Sequence, residues 1–224
     1  MLASLSANMK NTDMTNKTSI GSIGCLQPIV SKTIIGILGL QGDYFKHQEM
    51  LDLIDGVETK IVKMPEQLND CAGLVIPGGE STTVGNLMER YGIDVAIKQR
   101  VSEGMAVFGT CMGMIILSKE IENSNQQRLG LIDMEVRRNA FGRQVDSYET
   151  DLSINGIEGG PIRAVFIRAP YATRIWGDAQ ILASLETGEI LMVKQGKILA
   201  AAFHPELTTD TRVHEYFVEM ARGN

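Results

Sequence analysis

Cys111 lies at the centre of a stretch whose residue types suit a nucleophile. Met105–Ser118 reads MAVFGTCMGMIILS, in which an apolar run is followed by a glycine-bracketed turn and a second apolar run. This pattern predicts a buried strand, a sharp turn and a helix with the thiol at the apex, the thiol counterpart of the G-x-S-x-G nucleophile elbow. Gly109 and Gly113 lack a Cβ, which lets the strand and the helix approach closely.

The predicted position of Cys111 also favours its chemistry. At a helix N-terminus the partial positive charge favours thiolate over thiol, and the amide of Met112 can donate a hydrogen bond to an oxyanion. A lone buried cysteine is, however, commonly a packing residue. The stretch by itself therefore leaves both catalysis and packing open.

A histidine and a glutamate two positions apart, in His204-Pro205-Glu206, form the second candidate group. Pro205 fixes its own φ and disfavours the helical region for the preceding residue, so we expect an extended segment with both side chains facing the same way. A carboxylate beside a histidine sets its tautomer and stabilises the imidazolium, as a cysteine nucleophile requires. The alternative is a surface histidine near a strand end. His47 and His214 fall within predicted helices without a comparable partner, and we expect structural or peripheral roles for them.

The third candidate is a glycine-rich turn, Pro77–Thr82, which reads PGGEST. Gly78 and Gly79 would let the backbone approach a ligand closely and aim an N–H at it. An ordinary turn is the alternative. Neither G-x-x-x-x-G-K-[ST] nor G-x-G-x-x-G occurs at a strand-to-helix turn, so the sequence does not indicate a phosphate site.

Strands and helices alternate in the part of the chain that must position these groups. The predicted strands are Thr33–Leu40, Val57–Val62, Gly73–Ile76 and Met105–Phe108; the helices are Tyr44–Ile54, capped by Asp43, and Val84–Glu103, broken near Gly92. Alternation of this kind predicts an α/β fold, an open and mostly parallel sheet with helices on both faces. Ligands bind such sheets at the carboxyl ends of the strands. Gln41, Gly78–Ser81 and Cys111 all lie at such ends.

After Gln127 short strands are predicted in quick succession. They are Leu131–Val136, Tyr148–Ile154, Ile162–Ile167, Ile181–Glu186, Ile190–Lys194 and Ile198–Phe203. This spacing predicts antiparallel additions to the sheet in the C-terminal half. The final helix, Asp210–Ala221, carries Val213, Phe217 and Met220 on one face.

Composition excludes several classes of protein. The 224 residues are 44% hydrophobic and 21% charged, with a net charge of −6, which argues against a nucleic-acid surface. No apolar run approaches the roughly 20 residues of a membrane helix. The three cysteines have no metal-ligand spacing, and an odd, sparse set suits a reducing cytoplasm. We expect Cys25 and Cys71 to be structural or incidental.

Residues 1–32 differ from the rest of the chain. They are rich in Ser, Thr and Asn and have no sustained periodicity, and no apolar segment follows a basic start as in a secretory signal. We expect either a disordered N-terminal extension or upstream sequence from an over-long start assignment, followed by a single domain over residues 33–224.

Six motifs together resemble the class I glutamine amidotransferase family. In chain order they are LQGD at Leu40–Asp43, PGGEST at Pro77–Thr82, GTCMG at Gly109–Gly113, RRNAFGRQ at Arg137–Gln144, FIRAP at Phe166–Pro170 and FHPE at Phe203–Glu206. GTC-x-G and HPE mark the superfamily, whereas PGGEST, RNAFGRQ and FIRAP are typical of its vitamin B6 branch. Many relatives have alanine where Met112 stands, a change that leaves the backbone N–H in place.

The resemblance implies a role for each matching residue. Cys111 would be the nucleophile, His204 the base and acid, and Glu206 the orienting carboxylate. The amides of Gly79 and Met112 would form the oxyanion hole. The glutamine-binding set would be Gly78, Gly79, Glu80, Arg138, Ile167 and Arg168. Taken alone, each of the two arginines would more often be a solvated surface charge.

The resemblance also implies an activity and a partner. Glutamine would be hydrolysed to glutamate and ammonia through a thioester, without a metal or an organic cofactor. The ammonia would pass to a separate synthase subunit that builds pyridoxal 5′-phosphate from a pentose phosphate and a triose phosphate. The alternatives are a glutaminase serving another synthase, a γ-glutamyl hydrolase, or a non-catalytic regulatory module of the same fold.

Overall fold

Strands and helices alternate in the first part of the chain, and strands dominate the second. The computed structural model describes residues 32–138 and 147–223. The first elements are β1 (Thr33–Leu38), α1 (Tyr44–Leu51), β2 (Val57–Val62), β3 (Gly73–Ile76), α2 (Ser81–Tyr91), α3 (Ile93–Ser102), β4 (Ala106–Thr110), α4 (Met112–Leu117) and β5 (Ser118–Ile121). The later elements are β6 (Ile132–Arg137), β7 (Ser147–Leu152), β8 (Ile162–Ile167), β9 (Tyr171–Ile175), β10 (Gln180–Ser184), β11 (Ile190–Gln195), β12 (Ile198–Ala201) and α5 (Arg212–Arg222). The described residues also form two 3₁₀ turns, Pro65–Leu68 and Pro205–Leu207.

One half of the main sheet is parallel, in the order β2-β1-β3-β4-β12. Strands β3 and β4 are buried along their whole length, as expected for apolar runs covered on both faces. Phe108 of β4 packs its ring on Phe217 of α5, whereas a Cβ at the next residue, Gly109, would meet Gly113 and Leu117 of α4. Because successive strand residues face opposite ways, α5 and α4 cover opposite faces, and the predicted architecture is confirmed.

The other half of the sheet is largely antiparallel, in the order β12-β11-β9-β6-β5, with β10 paired to β11. Among the described strands of this half, β5 and β6 alone pair in parallel. Strands β7 and β8 were expected to join this sheet, but they form a separate antiparallel ribbon. Alternate residues of β8 are buried, and Phe166 packs its ring on Phe203, so one face of the ribbon is covered by the domain.

Several element boundaries differ from the predictions. β1 and α1 end earlier than predicted, and Asp43 makes no side-chain hydrogen bond to the start of α1, so the predicted cap is wrong. The break near Gly92 is confirmed, because that residue has a φ of 69° between α2 and α3. The short strands β5 and β9 were not predicted. Their four and five residues are too few to show a clear alternation.

Some predictions fall outside the described residues. These include nearly all of the expected N-terminal extension, Cys25, and residues 139–144 of the RRNAFGRQ motif. Within residues 32–138 and 147–223, no helix is long and apolar enough to cross a membrane.

Candidate active site

Cys111 occupies a strained turn between β4 and α4. Its φ of 48° and ψ of −105° are a conformation that residues other than glycine rarely adopt. The turn is held by Cys111 N–H donating to the Ala201 carbonyl at 2.8 Å. A Cβ at Gly109 would lie 2.6 Å from the Gly113 carbonyl carbon, and one at Gly113 would lie 2.4 Å from the Ile76 carbonyl oxygen. The predicted close approach of strand and helix is therefore confirmed.

His204 and Glu206 follow β12, the strand next to the one that carries Cys111. The Nδ1 atom of His204 lies 2.7 Å from Oε1 of Glu206, and His204 N–H donates to the Val165 carbonyl at 2.8 Å. The expected extended conformation is wrong beyond His204, because Pro205–Leu207 forms a 3₁₀ turn. A proline suits the first position of such a turn. The two side chains still meet, and Glu206 is 4% exposed.

Opposing effects set the charge of this pair. Burial alone would lower the pKa of His204, but hydrogen bonds with Cys111 and Glu206 outweigh it and raise that pKa to about 10. Burial alone would raise the pKa of Glu206, but the neighbouring His47 and the hydrogen bond from His204 outweigh it, and the pKa lies well below its usual range. The pair is therefore held as an imidazolium and a carboxylate.

The glycine-rich turn after β3 lies directly against these residues. A Cβ at Gly78 would lie 2.6 Å from Cε1 of His204, so only glycine fits there without displacing the ring. A Cβ at Gly79 would lie 3.3 Å from Oε1 of Gln41 and 3.6 Å from Cε of Met112. The same Gln41 oxygen accepts the backbone N–H of Glu80 at 3.0 Å. The ends of three parallel strands thus meet at one edge, as predicted.

The far end of the site carries exposed charges. The carboxylate of Glu80 accepts the backbone N–H groups of Thr82 at 3.0 Å and Thr83 at 2.7 Å, which caps α2. Hydrogen bonds from Thr83, then Thr82, lower the pKa of Glu80 to about 2. Nη2 of Arg138 lies 3.9 Å from Oε1 of Glu80. Arg138 also donates from Nη1 to Oε1 of Gln126 at 2.6 Å, a contact that no sequence motif indicated.

These groups surround a cavity of about 400 Å³. It is lined by Gln41, Gly79, Glu80, Ser81, Cys111, Met112, Ile115, Arg138, Ile167, Arg168, Pro170 and His204. Ile167 and Arg168 come from the end of β8, and the Ile167 carbonyl accepts the Cys111 thiol at 3.9 Å. Eight of the ten predicted site residues thus line the cavity, while Gly78 and Glu206 contact His204 outside the lining.

His47 and His214 have polar partners, so only the expected absence of a partner is wrong. Both are fully buried, and His47 Nε2 lies 3.4 Å from Oε2 of Glu206. His47 Nδ1 lies 3.0 Å from Nε2 of His214. The sequence did indicate that His47 is buried, because it lies three and four residues before Met50 and Leu51 on the same side of α1. A histidine on an apolar face calls for a buried polar partner.

Two chemical features of the site bear on what it can do. In residues 32–138 and 147–223, no three His, Cys, Asp or Glu side chains are grouped to hold a metal ion. A cysteine, a histidine and a carboxylate beside a cavity with backbone amides can carry out acyl transfer through a covalent intermediate.

Comparisons with known proteins agree with this chemistry. The sequence model of the SNO glutamine amidotransferase family matches residues 37–222. Pyridoxal 5′-phosphate synthase subunit PdxT of Carboxydothermus hydrogenoformans is 50% identical over 185 residues, covering 83% of this chain and 96% of that protein. The protein of the same name from Thermotoga petrophila is 49% identical over 188 residues, covering 84% and 99%.

Solved structures agree as well. A crystal structure of a glutamine amidotransferase is 48% identical, with a TM-score of 0.79, and the match covers 84% of this chain and 98% of that one. PurLQS from Thermotoga maritima shares the fold at 17% identity and a TM-score of 0.64, covering 84% and 98%. By sequence and by structure, this chain belongs to the SNO glutamine amidotransferase family.

Proposed function

We propose that the chain is a glutaminase subunit that hydrolyses L-glutamine to L-glutamate and ammonia and supplies the ammonia for pyridoxal 5′-phosphate synthesis. One observation carries the chemistry: Cys111, at a strained strand-to-helix turn, lines the same cavity as His204, whose Nδ1 lies 2.7 Å from the buried carboxylate of Glu206. This geometry supports a cysteine nucleophile with an oriented acid and base.

The proposed reaction has two stages. The Cys111 sulfur attacks the side-chain amide carbon of glutamine, and the N–H groups of Gly79 and Met112 stabilise the oxyanion. His204 then donates its proton to the departing nitrogen, which leaves as ammonia, and a thioester forms. In the second stage His204 takes a proton from water, the hydroxide attacks the thioester, and glutamate and the free thiol are released. No metal or organic cofactor takes part in these steps.

The other cavity residues suit the amino-acid end of the substrate. Arg138 can donate two parallel hydrogen bonds to the α-carboxylate, and the carboxylate of Glu80 can attract the α-ammonium. Gly79, Glu80, Ile167 and Arg168 line the same cavity as Cys111, and Gly78 lies against His204 beside it. Glutamine would therefore lie along the cavity with its amide at the thiol.

The proposed partner is the synthase subunit of pyridoxal 5′-phosphate synthase. The relatives at 50% and 49% identity are named as subunits of that enzyme, and the match covers 96% and 99% of their lengths. The synthase subunit uses the ammonia with a pentose phosphate and a triose phosphate. A cytoplasmic location fits the free thiols of Cys71 and Cys111, which form no disulfide.

A transfer experiment tests this proposal. Glutamine labelled with ¹⁵N at the side-chain amide is supplied to the purified chain, alone and with a pyridoxal 5′-phosphate synthase subunit. We expect faster glutamate release with the partner and ¹⁵N in the coenzyme. Stimulation only by another synthase would contradict the assigned partner, and preferential cleavage of γ-glutamyl peptides would indicate a γ-glutamyl hydrolase. Absence of turnover in every mixture would indicate a regulatory module.

We also propose that residues 33–224 suffice for this function. The match to the family model spans residues 37–222 and includes none of the first 32 residues. A chain that lacks residues 1–32 is expected to keep the thermal midpoint and glutamine turnover of the full chain. A large loss of either would show that the segment contributes to the domain or to partner binding.

A further inference from the structure

The buried side of Glu206 carries an unexplained contact. Oε1 of this carboxylate is bonded to His204, but Oε2 is buried and lacks a hydrogen bond of good geometry. The polar group facing Oε2 is Nε2 of His47, at 3.4 Å. The same nitrogen lies 3.1 Å from Oγ1 of Thr110, the residue before the nucleophile. Since a buried carboxylate oxygen without a donor is costly, this contact requires an explanation.

The protonation of His47 follows from its surroundings. A bare Nε2 would direct its lone pair at a carboxylate oxygen 3.4 Å away, which is repulsive. His47 therefore carries a proton on Nε2, shared between Glu206 and Thr110. This holds both for the neutral Nε2–H tautomer and for the imidazolium.

His214 completes the arrangement from the other side. Burial, and then the neighbouring His47, lower the pKa of His214 to about 3, so His214 is neutral. Its Nε2 lies 3.0 Å from Nδ1 of His47. The ring of Phe108 packs edge-on against both imidazoles, with centroid distances of 6.5 and 6.1 Å. His47 is thus fixed by α5 and β4, and its ring has little freedom to turn away from Glu206.

We propose that His47 is a positioning residue for the catalytic triad: its Nε2–H holds the second oxygen of Glu206 and so fixes the carboxylate against His204. His47 does not touch the substrate, because it is fully buried and is absent from the cavity lining. It acts through Glu206, which in turn stabilises the imidazolium of His204. The kinetic part of this inference rests on the proposed glutaminase function, whereas the effect on His204 does not.

A pair of matched variants tests the role of the Nε2–H. In His47→Gln the side-chain amide nitrogen reaches the position of Nε2, whereas in His47→Asn the shorter amide reaches only the position of Nδ1 and faces His214. Both side chains are polar, so both carry a similar cost of burial. Met50→Ala, on the same helix and also buried, controls for a general loosening of α1.

The first measurement is a titration of His204 by NMR of protein with ¹⁵N-labelled histidine, which is simple to assign because the chain has three histidines. We expect the midpoint of His204 to fall by about one pH unit in His47→Asn, since its carboxylate partner is less well held. It should stay near the native value in His47→Gln and Met50→Ala. A midpoint unchanged in His47→Asn, or lowered equally by Met50→Ala, would overturn the proposal. This readout does not depend on glutamine hydrolysis, so it survives if the proposed function fails.

The second measurement uses glutamine turnover. We expect His47→Asn to lower kcat about 10-fold, the loss of one hydrogen bond to a charged group, with KM unchanged. His47→Gln should recover most of the rate. Equal losses in the two variants would contradict a role for the donor at Nε2.

The third measurement needs no variant, so it applies even if His47→Asn does not fold. The ¹⁵N shifts of the native protein reveal which nitrogens of His47 are protonated. A proton on Nε2 is expected. An unprotonated Nε2 would rule out the proposed hydrogen bond to Glu206.

Discussion

The two ends of the cavity differ in the burial of their charged side chains and in how closely those charges are paired. At the Cys111 end, Glu206 is 4% exposed and bonded to His204 at 2.7 Å. At the other end, the side chains of Arg138 and Glu80 are 34% and 48% exposed, and their closest approach is 3.9 Å. Buried bonds at the first end hold charges in place before the reaction. Exposed ion pairs contribute little until a ligand excludes water.

Substitutions at the two ends should therefore change different kinetic constants. Changes at the buried end should lower kcat, because they remove stabilisation of the transition state. Changes at the exposed end should raise KM, because they remove contacts to the unreacting part of the substrate.

Removing the nucleophile should have the largest effect. Cys111→Ala is expected to abolish glutamine turnover while keeping the fold, because alanine loses the reacting atom but little volume. Cys71→Ala, at the second buried free cysteine of the described residues, is the matched control. It should keep turnover and lower the free energy of unfolding by about 1 kcal/mol through a small cavity. More than trace turnover in Cys111→Ala would refute the assigned nucleophile.

Neutralising the orienting carboxylate should have the second-largest effect on turnover. Glu206→Gln is expected to lower kcat by about 100-fold or more, because an amide cannot stabilise the imidazolium and favours the wrong tautomer. His204 also loses a partner that raises its pKa to about 10. The alkaline decline of kcat should therefore move to lower pH. Glu215→Gln, an exposed neutralisation on α5, should leave the pH profile unchanged. If kcat of Glu206→Gln depended on pH as in the native protein, the role assigned to the buried end would be contradicted.

Changes at the exposed end should act on binding. Arg138→Ala is expected to raise KM about 10-fold, with a smaller change in kcat, through loss of charge-assisted hydrogen bonds. Gln126→Leu, which removes the acceptor 2.6 Å from Arg138, should raise KM in the same direction by less. Arg163→Ala, on an exposed arginine paired with Glu149, serves as the control. A fall in kcat without a rise in KM would contradict the division between the two ends.

The smallest kinetic effect is expected at Glu80, where substitution should raise KM by less than in Arg138→Ala and should also lower stability. Glu80→Ala removes the cap of α2 and should lower the free energy of unfolding by about 1 kcal/mol at neutral pH. The folded-state pKa is about 2 against an ordinary 4.5, so the ionic part of this contribution is present above pH 4.5 and is lost as the pH falls toward 2. Urea unfolding of the native protein and of Glu80→Ala from pH 6 to pH 2 should show that the difference between their free energies of unfolding decreases. A difference in free energy of unfolding that stays constant with pH would mean that the carboxylate charge contributes nothing to the cap.

Local pattern was enough to predict much of the fold and of the site. Glycines two positions on each side of Cys111 indicate a sharp turn, and apolar runs indicate buried strands, because both depend on residues adjacent in sequence. The edge of the sheet that carries the cavity followed from parallel connectivity. The motifs that resemble glutamine amidotransferases assigned the roles that these residues take in the proposed reaction.

Contacts between segments that are distant in sequence could be identified only from the tertiary structure. His47 and His214 lie 167 positions apart, and neither sequence neighbourhood indicates that they meet behind Glu206. The contact of Gln126 with Arg138 and the separate pairing of β7 with β8 are of the same kind. The sequence by itself determined which residues could react and which strands would carry them, because those properties arise within a few residues. Which groups surround the triad was decided only by the packing of α1, β4 and α5 together, because burial and charge compensation depend on every element that meets at the site.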